Sequence, residues 1–372
     1  MKILFNNGKI FTGQRLWRDA SVLVEDTTIK KVSPQVIERS ASPFDLESGW
    51  LVPAFIDLQI YGGNGKLFGE HPSVESLKST YEYCLGGGTT HFMPTVATNS
   101  MEVMFDAIEA VKSYWQQNLP GVLGLHLEGP FINPEKRGAH IQQFIHSPSM
   151  AEVEELVQKG KDVVKMITLA PEICDKDVIE YLRKESIIIS AGHSNATYQQ
   201  SMEGFQNGIP LATHLFNAMS GLHHRAPGMV GAIFNSETAM ASIVADGHHV
   251  DYAAINIAKK IMEERLFLIT DAVTENKEGF YQHRLAGDKY VVADGTLSGS
   301  SLTILKAIKN CIEQIGIPVE EALRMGSLYP AKAVQMDSQL GKIEEGYKAE
   351  LVWLNAQMEL KGAYTNGLMV QF

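Results

Sequence analysis

The sequence predicts a closed parallel (β/α)8 barrel of the TIM type, joined to a small β-sandwich domain formed by the N- and C-terminal segments. Three observations lead to this fold class. Eight apolar runs of buried-strand length alternate with segments of helical periodicity in the middle of the chain. Both ends of the chain instead carry short β-prone runs separated by turn residues. Polar side chains recur where the apolar runs end, as they do at the mouth of such a barrel.

The two ends of the chain, residues 1–50 plus 336–372, are assigned to the small β domain. The N-terminal runs Lys2–Phe5, Ser21–Glu25 and Thr28–Val32 alternate with turn signals. The C-terminal runs are Ala349–Leu354 and Leu368–Phe372. Because β-rich ends flank an α/β middle, we expect the ends to meet in one domain.

The middle of the chain, residues 51–335, is assigned to the barrel. An open doubly wound sheet is the alternative, but its nucleotide-binding forms lack support, since no GxGxxG motif follows the first strand and no Walker loop is present. The predicted strands are Leu51–Ile60, Thr89–Val96, Val122–Leu127, Val164–Leu169, Ile187–Ala191, Leu211–Leu215, Ala241–Ala245 and Phe267–Thr270. The predicted helices include Val74–Leu85, Met101–Tyr114, Ala151–Gln158, Asp177–Lys184, Tyr198–Phe205 and Asp251–Glu263.

Charge and cysteine content exclude several classes of protein. The 372 residues carry a net charge of −11, which disfavours nucleic acid and anionic membranes as partners. Cys84, Cys174 and Cys311 form no CxxC pair, so neither a disulfide framework nor a thiolate zinc site is indicated. No signal peptide or transmembrane segment is recognisable. We therefore expect a cytoplasmic protein.

Histidine marks the candidate site, since nine of the twelve histidines lie between His126 and His249. Glu128, His193 and His214 lie at the ends of three predicted strands. Two imidazoles and a carboxylate would leave open positions on a divalent ion, which is typical of catalytic metal sites. Any one of these side chains alone is more often a structural strand-end residue, and no HExxH motif is present, so the interpretation depends on the barrel.

Three further side chains are candidates with an open alternative. Asp271 ends the last predicted strand and could move a proton, or it could cap a helix or orient a loop. His140 lies in a loop twelve residues after Glu128 and could polarise a substrate carbonyl or simply be solvated. Arg225 could bind phosphate through its guanidinium fork, or be an ordinary surface arginine.

With these residues the chain resembles a known family. The segments FIDLQIYGGNG, HLEGPFINPEKRGAH, AGHSNAT, THLFNAM, ADGHHVD, TDA and SGSSLT stand in the order found in N-acetylglucosamine-6-phosphate deacetylases of the amidohydrolase superfamily. The resemblance runs from about Gly8 to the C-terminal strands. HLEGPF and THLFNAM are its most specific parts.

The resemblance implies metal-dependent hydrolysis of N-acetyl-D-glucosamine 6-phosphate to D-glucosamine 6-phosphate and acetate. It implies that Glu128, His193 and His214 hold one divalent ion per subunit, with zinc favoured and iron, cobalt or manganese as alternatives. Asp271 would be the acid/base, and His140 would stabilise the oxyanion. A homodimer is implied, because the arginine matching Arg225 reaches the phosphate from the neighbouring subunit. The substrate-binding residues would be Gln59, Ala139, His140, Asn217, Ala218, Arg225, Asp246, His249, Leu302 and Ile304.

One departure from the superfamily pattern concerns the end of the first strand. Gln59 and Tyr61 stand where many members carry His-x-His, and an amide and a phenol are poor ligands for a second ion. We therefore expect a site for one metal. A cyclic-amide or dipeptide hydrolase on the same barrel is the first alternative function. A catalytically silent scaffold is the second, disfavoured because all four metal and acid/base positions are filled.

Overall fold

The computed structural model describes residues 1–34 and 36–372, and its central feature is an eight-stranded parallel sheet. Strand order along this sheet follows chain order. The two edges approach each other through a parallel bridge between Ile60 and Ala272 and a 2.9 Å hydrogen bond from Tyr61 N to Ala272 O. The predicted barrel is confirmed. Its strands are Phe55–Ile60, Thr89–Ala97, Leu125–Glu128, Val164–Leu169, Ile188–Ala191, Leu211–Ala212, Met240–Ile243 and Leu266–Leu268.

The helices between these strands match the predicted ones to within two residues at most ends. Several have the expected polar starts: Ser100 accepts a hydrogen bond from Val103 N, and Thr197 forms a capping box with Gln200. Gly228–Asn235 was not among the predicted helices, because six of its eight residues are buried and it shows no polar face. The α-helices are Val74–Leu85, Met101–Gln116, Met150–Gly160, Lys176–Lys184, Tyr198–Gln206, Gly228–Asn235, Tyr252–Met262, Ile304–Asn310, Val319–Gly326 and Leu328–Ala333, and short 3-10 or π turns cover Pro134–Lys136, Gln142–Phe144, Pro171–Ile173, Glu263–Arg265 and Cys311–Ile315.

The run Leu51–Ile60 is two strands, so the prediction of a single strand was wrong. Trp50–Pro53 pairs antiparallel with Leu351–Leu354, and Phe55–Ile60 then begins the barrel. Proline lacks a backbone N–H, so a ladder readily ends at Pro53. A continuous apolar run cannot reveal this switch, since both strands are fully buried.

The two ends of the chain meet in a small β domain with two sheets, as predicted. Phe5, Val22, Leu51, Leu351 and Tyr364 are buried in the core that the sheets share. One sheet has the order Thr28–Ser33, Ser21–Glu25, Lys2–Asn6, Ser42–Asp45, and the other has the order Leu368–Gln371, Leu360–Thr365, Leu351–Leu354, Trp50–Pro53, Lys9–Phe11, Leu16–Trp17.

Two smaller sheets lie outside these layers. Gly62–Gly63 pairs with Lys66–Leu67, and Arg284–Ala286, Lys289–Val291 and Leu297–Ser300 form a three-stranded sheet. No helix in the described ranges is both long and apolar enough to cross a membrane.

By contact density the chain forms two compact units. One comprises Met1–Asp57, Cys84–His91 and Thr303–Phe372, and the other comprises Leu58–Tyr83 and Phe92–Leu302. The predicted domain bounds, 1–50 plus 336–372 for the small β domain and 51–335 for the barrel, remain a prediction.

Candidate active site

A cavity of about 170 Å³ lies at the carboxyl ends of the barrel strands. Its wall combines carboxylates and imidazoles with several apolar side chains, a mixture typical of small-molecule sites. The lining residues are Tyr61, Leu67, Gly69, Ala97, Glu128, Gly138, Ala139, His140, His193, His214, Asn217, Ala218, His249, Asp271, Val273, Tyr281, His283, Leu297, Ser298 and Gly299.

Glu128, His193 and His214 form a tight triangle in this cavity. Glu128 Oε1 lies 3.0 Å from His214 Nε2 and 3.3 Å from His193 Nε2, and the two Nε2 atoms are 3.0 Å apart. All three residues are buried. One oxygen and two imidazole nitrogens at such short separations can converge on one divalent cation.

His140 brings a fourth ionisable group to the same cluster. Its Nε2 lies 3.1 Å from Glu128 Oε2, so Glu128, His140 and His193 also satisfy the spacing of a metal site. Thr98 N donates a 3.3 Å hydrogen bond to His140 Nδ1. Because a backbone N–H can only donate, the Nδ1 atom carries the lone pair, and Nε2–H of the neutral ring donates to Glu128.

The two other histidines face the cluster with Nε2. His193 Nδ1 donates a 2.8 Å hydrogen bond to Lys136 O, which leaves the Nε2 lone pair for a ligand. Burial, together with the neighbouring His140, lowers the pKa of His193 to about 4, so this ring is neutral at physiological pH. His214 Nδ1 is buried and has no hydrogen-bond partner among the described residues. The contacts of His214 with Glu128 and His193 are both made by Nε2.

Electrostatics favour positive charge at the centre of this cluster. Burial alone would raise the pKa of Glu128, but His193, His140 and His214 hold that pKa well below its usual value. Burial would likewise lower the pKa of His214, yet Glu128 raises it. The carboxylate is therefore ionised and attracts a cation, and the donor set fits a divalent metal.

The side-chain amide of Gln59 lies between Asp271 and the cluster. Gln59 Nε2 lies 2.8 Å from Asp271 Oδ1 and 3.0 Å from Glu128 Oε1, so this side chain bridges the two carboxylates. On its other side, Asp271 Oδ2 lies 3.5 Å from His249 Nε2. Burial raises the pKa of Asp271 above its ordinary value, which brings it closer to the range useful for proton transfer.

Asp246 orients the histidine that faces Asp271. Its Oδ2 accepts a 2.6 Å hydrogen bond from His249 Nδ1, and its Oδ1 accepts a 2.8 Å bond from His249 N. Burial alone would raise the pKa of Asp246, but the hydrogen bonds from His249 hold it below its ordinary value. The arrangement presents His249 Nε2 to the cavity.

The backbone has positive φ angles at three site residues that follow barrel strands. His193, His214 and Asp271 have φ angles of 46°, 35° and 54°, in the left-handed region that costs non-glycine residues about 1 kcal/mol. Such outliers cluster at functional sites. Gly129, with φ +86°, has a different reason: a Cβ there would lie 2.1 Å from Thr98 Oγ1, which also contacts His140.

The other residues named from the sequence fall into two groups. Ala139, Asn217, Ala218 and His249 line the cavity, and Gln59 and Asp246 lie directly behind it through the contacts above. The second group lies outside the described cavity wall. It comprises Arg225, which is exposed, Leu302, whose carbonyl accepts a 2.8 Å hydrogen bond from Tyr83, and Ile304, which begins a helix.

Tyr281, His283 and Ser298 line the cavity but were missed by the sequence reasoning. Tyr281 OH donates to Thr98 O at 2.6 Å, and His283 Nδ1 lies 2.9 Å from Ser298 Oγ. They come from the segment around the unpredicted three-stranded sheet, where no motif sets Tyr281 and His283 apart. Ser298 begins the SGSSLT segment but was not named as a site residue. The described cavity wall contains no lysine or arginine.

Comparison with known proteins defines the class of this protein. A profile of the Amidohydrolase family matches residues 50–370. The chain belongs to the amidohydrolase family and is an enzyme of that class.

Within this class the relatives are deacetylases of phosphorylated amino sugars. The chain is 34% identical to N-acetylglucosamine-6-phosphate deacetylase of Haemophilus influenzae, over 99% of both chains. It is 31% identical to N-acetylgalactosamine-6-phosphate deacetylase of Escherichia coli O157:H7, over 98% of both. The crystal structure of N-acetylglucosamine-6-phosphate deacetylase from Pasteurella multocida superposes with a TM-score of 0.96 at 34% identity, over all of both chains. The resemblance read from the sequence is confirmed.

Proposed function

We propose that this protein hydrolyses the acetamide of N-acetyl-D-glucosamine 6-phosphate to D-glucosamine 6-phosphate and acetate. The observation that carries the proposal is the convergence of Glu128, His193 and His214 opposite Asp271 in one cavity. The deacetylase relatives supply the substrate class. A cyclic-amide or dipeptide hydrolase on the same barrel would use the same cluster, so the substrate class rests on the relatives.

Glu128 Oε1, His193 Nε2 and His214 Nε2 are the proposed metal ligands. The alternative set with His140 is disfavoured, because the hydrogen bond from Thr98 N places the proton of His140 on the nitrogen that faces Glu128. A divalent cation at these ligands would supply a Lewis acid that polarises the acetyl carbonyl and activates water. Zinc is the favoured ion, with iron, cobalt or manganese as alternatives.

Asp271 carries the proton through the reaction. As the water oxygen bonds to the acetyl carbon, Asp271 accepts the proton that the water releases. With substrate bound, His140 would redirect its Nε2–H from Glu128 Oε2 to the carbonyl oxygen as negative charge develops there. When the C–N bond breaks, Asp271 returns its proton to the leaving nitrogen, and the products are acetate and a free amine. His249, held by Asp246, faces Asp271 throughout this cycle.

Arg225 is the proposed phosphate ligand, supplied across a homodimer interface. The described cavity wall holds no lysine or arginine of the same subunit, and Arg225 is exposed on a loop. We expect Arg225→Ala to raise KM for the phosphorylated sugar at least about tenfold, with little change for unphosphorylated N-acetylglucosamine. An equal effect on both substrates would refute the phosphate role.

Subunit complementation tests the cross-subunit part directly. Mixed dimers of Arg225→Ala and Asp271→Asn chains contain one site with an intact Asp271 and the partner's intact Arg225. At substrate concentrations below the raised KM of Arg225→Ala, we expect such mixtures to exceed the summed activity of the two pure variants. Mixtures no more active than the sum of the two pure variants would place Arg225 in its own subunit's site.

The test of the overall proposal is acetate release by the protein supplied in turn with zinc, iron, cobalt and manganese. N-acetylglucosamine 6-phosphate, N-acetylgalactosamine 6-phosphate and a dihydropyrimidine panel are compared at matched concentrations. The galactosamine epimer is a second candidate substrate, because a relative acting on it is nearly as similar as the glucosamine enzymes. Release from neither sugar, with turnover of a dihydropyrimidine, would favour the other amidohydrolase class.

A further inference from the structure

Tyr61 lies on the cavity wall next to the carboxylate of the proposed metal cluster. It follows the first barrel strand, and its phenol hydroxyl contacts Glu128 Oε2. The same hydroxyl oxygen lies 2.9 Å from Gln59 Nε2. None of the roles assigned above uses this contact.

The two oxygens of Glu128 have separate partners. Oε1 faces His193 and His214, at 3.3 and 3.0 Å. Oε2 faces Tyr61 and His140, the latter at 3.1 Å. A carboxylate can only accept, so Tyr61 O–H donates to Oε2.

We propose that Tyr61 is a positioning residue that holds Glu128 with Oε1 directed at the cation site. With Oε2 occupied by two donors, Oε1 is the oxygen aimed at the two Nε2 atoms, and its other neighbour is Gln59 Nε2 at 3.0 Å. Loss of the phenol donor would leave Oε2 with His140 as its donor and would let the carboxylate rotate. Hydrogen-bonding partners of metal ligands typically contribute about 10- to 100-fold to metal affinity.

The alternative is that Tyr61 only fills space. Its ring packs against the apolar cluster of Leu67, Val273 and Tyr281. Tyr61→Phe separates the two roles, because phenylalanine keeps the ring and removes only the hydroxyl. Tyr114→Phe is the matched control, since the Tyr114 hydroxyl donates at 2.8 Å to Pro120 O, away from the metal cluster.

The inference rests on the metal site of the proposed function, but its test does not use turnover. Wild-type protein, Tyr61→Phe and Tyr114→Phe are loaded with zinc and dialysed against a graded chelator series, and retained zinc is counted by atomic emission. We expect the zinc affinity of Tyr61→Phe to fall about 10- to 100-fold, with an unchanged melting temperature for the chelated form. Tyr114→Phe should hold zinc as the wild type does.

Three results would overturn the inference: wild-type affinity in Tyr61→Phe, an equal loss in both variants, or no zinc bound by the wild type. Failure of the proposed function is distinguishable from these. A protein that binds zinc but releases no acetate would leave the Tyr61 comparison fully readable.

Discussion

Replacing Asp271 by asparagine tests the proposed proton carrier separately from the rest of the site. The asparagine Oδ1 can still accept the 2.8 Å hydrogen bond from Gln59 Nε2, so the bridge to Glu128 survives. The metal cluster itself contains no atom of Asp271. We therefore expect the variant to remove the proposed proton transfer and to leave the fold and the proposed ligand set in place.

The expected loss follows from the two roles of this side chain. General acid–base catalysis contributes about 10²- to 10⁴-fold, and in the proposed mechanism Asp271 acts once as base and once as acid in each turnover. We expect kcat to fall by about 10³- to 10⁴-fold, which corresponds to about 4 to 5.5 kcal/mol in the activation barrier.

The assay is acetate release at saturating substrate, with metal content measured on the same sample. Asp106→Asn, on the exposed face of Met101–Gln116, is the matched control and should be unaffected. In the wild type, kcat/KM should decline as pH falls through the raised pKa of Asp271, because only the carboxylate accepts a proton. Near-normal turnover of Asp271→Asn with full metal content would remove this residue from the mechanism.

Three further predictions concern the metal, a supporting carboxylate and the barrel interior. Chelation should abolish turnover, and one zinc ion per chain should restore it; a second tightly held ion would contradict the single-metal expectation. Asp246→Asn removes the carboxylate that orients His249, so kcat should fall about tenfold or more at unchanged metal content. An unchanged kcat would contradict the proposed role of Asp246 in orienting His249. Burial lowers the pKa of His126 to about 4 in the folded protein, whereas a histidine in the unfolded chain has a pKa of about 6.5. As pH falls between these two values, the unfolded chain binds a proton that the folded protein does not. The free energy of unfolding should therefore drop by about 3 kcal/mol between those pH values, and denaturant titration of His126→Gln should show a weaker pH slope.

Sequence patterns predict the barrel well, because its strands are short apolar runs and most of them have a distinct polar end. They predict the cluster for the same reason: Glu128, His193 and His214 each stand where a strand finishes. The change from the small β domain's sheet to the barrel sheet after Pro53 cannot be predicted from the sequence, because both strands are buried and form one unbroken apolar run.

The remainder of the cavity wall depends on tertiary structure that no local pattern encodes. Tyr281 and His283 reach the cavity from an irregular segment, and Tyr281 is held there by a bond to the backbone of Thr98. The left-handed φ angles of His193, His214 and Asp271 are likewise not predictable from residue type, because even histidine and aspartate adopt them at few positions. The pattern of strand ends in the sequence predicts the charged groups, whereas the side chains that orient them can be identified only from the three-dimensional structure.

The pairing of Trp50–Pro53 with Leu351–Leu354 has a consequence for how the chain is made. On the ribosome, the earlier strand emerges roughly 300 residues before its neighbour and must remain without it while the barrel is synthesised. Contacts this distant in sequence slow folding, since a long loop must close before they form. We expect the sheet that joins both ends to be the last element completed, and the first to open when the final strands are cut away.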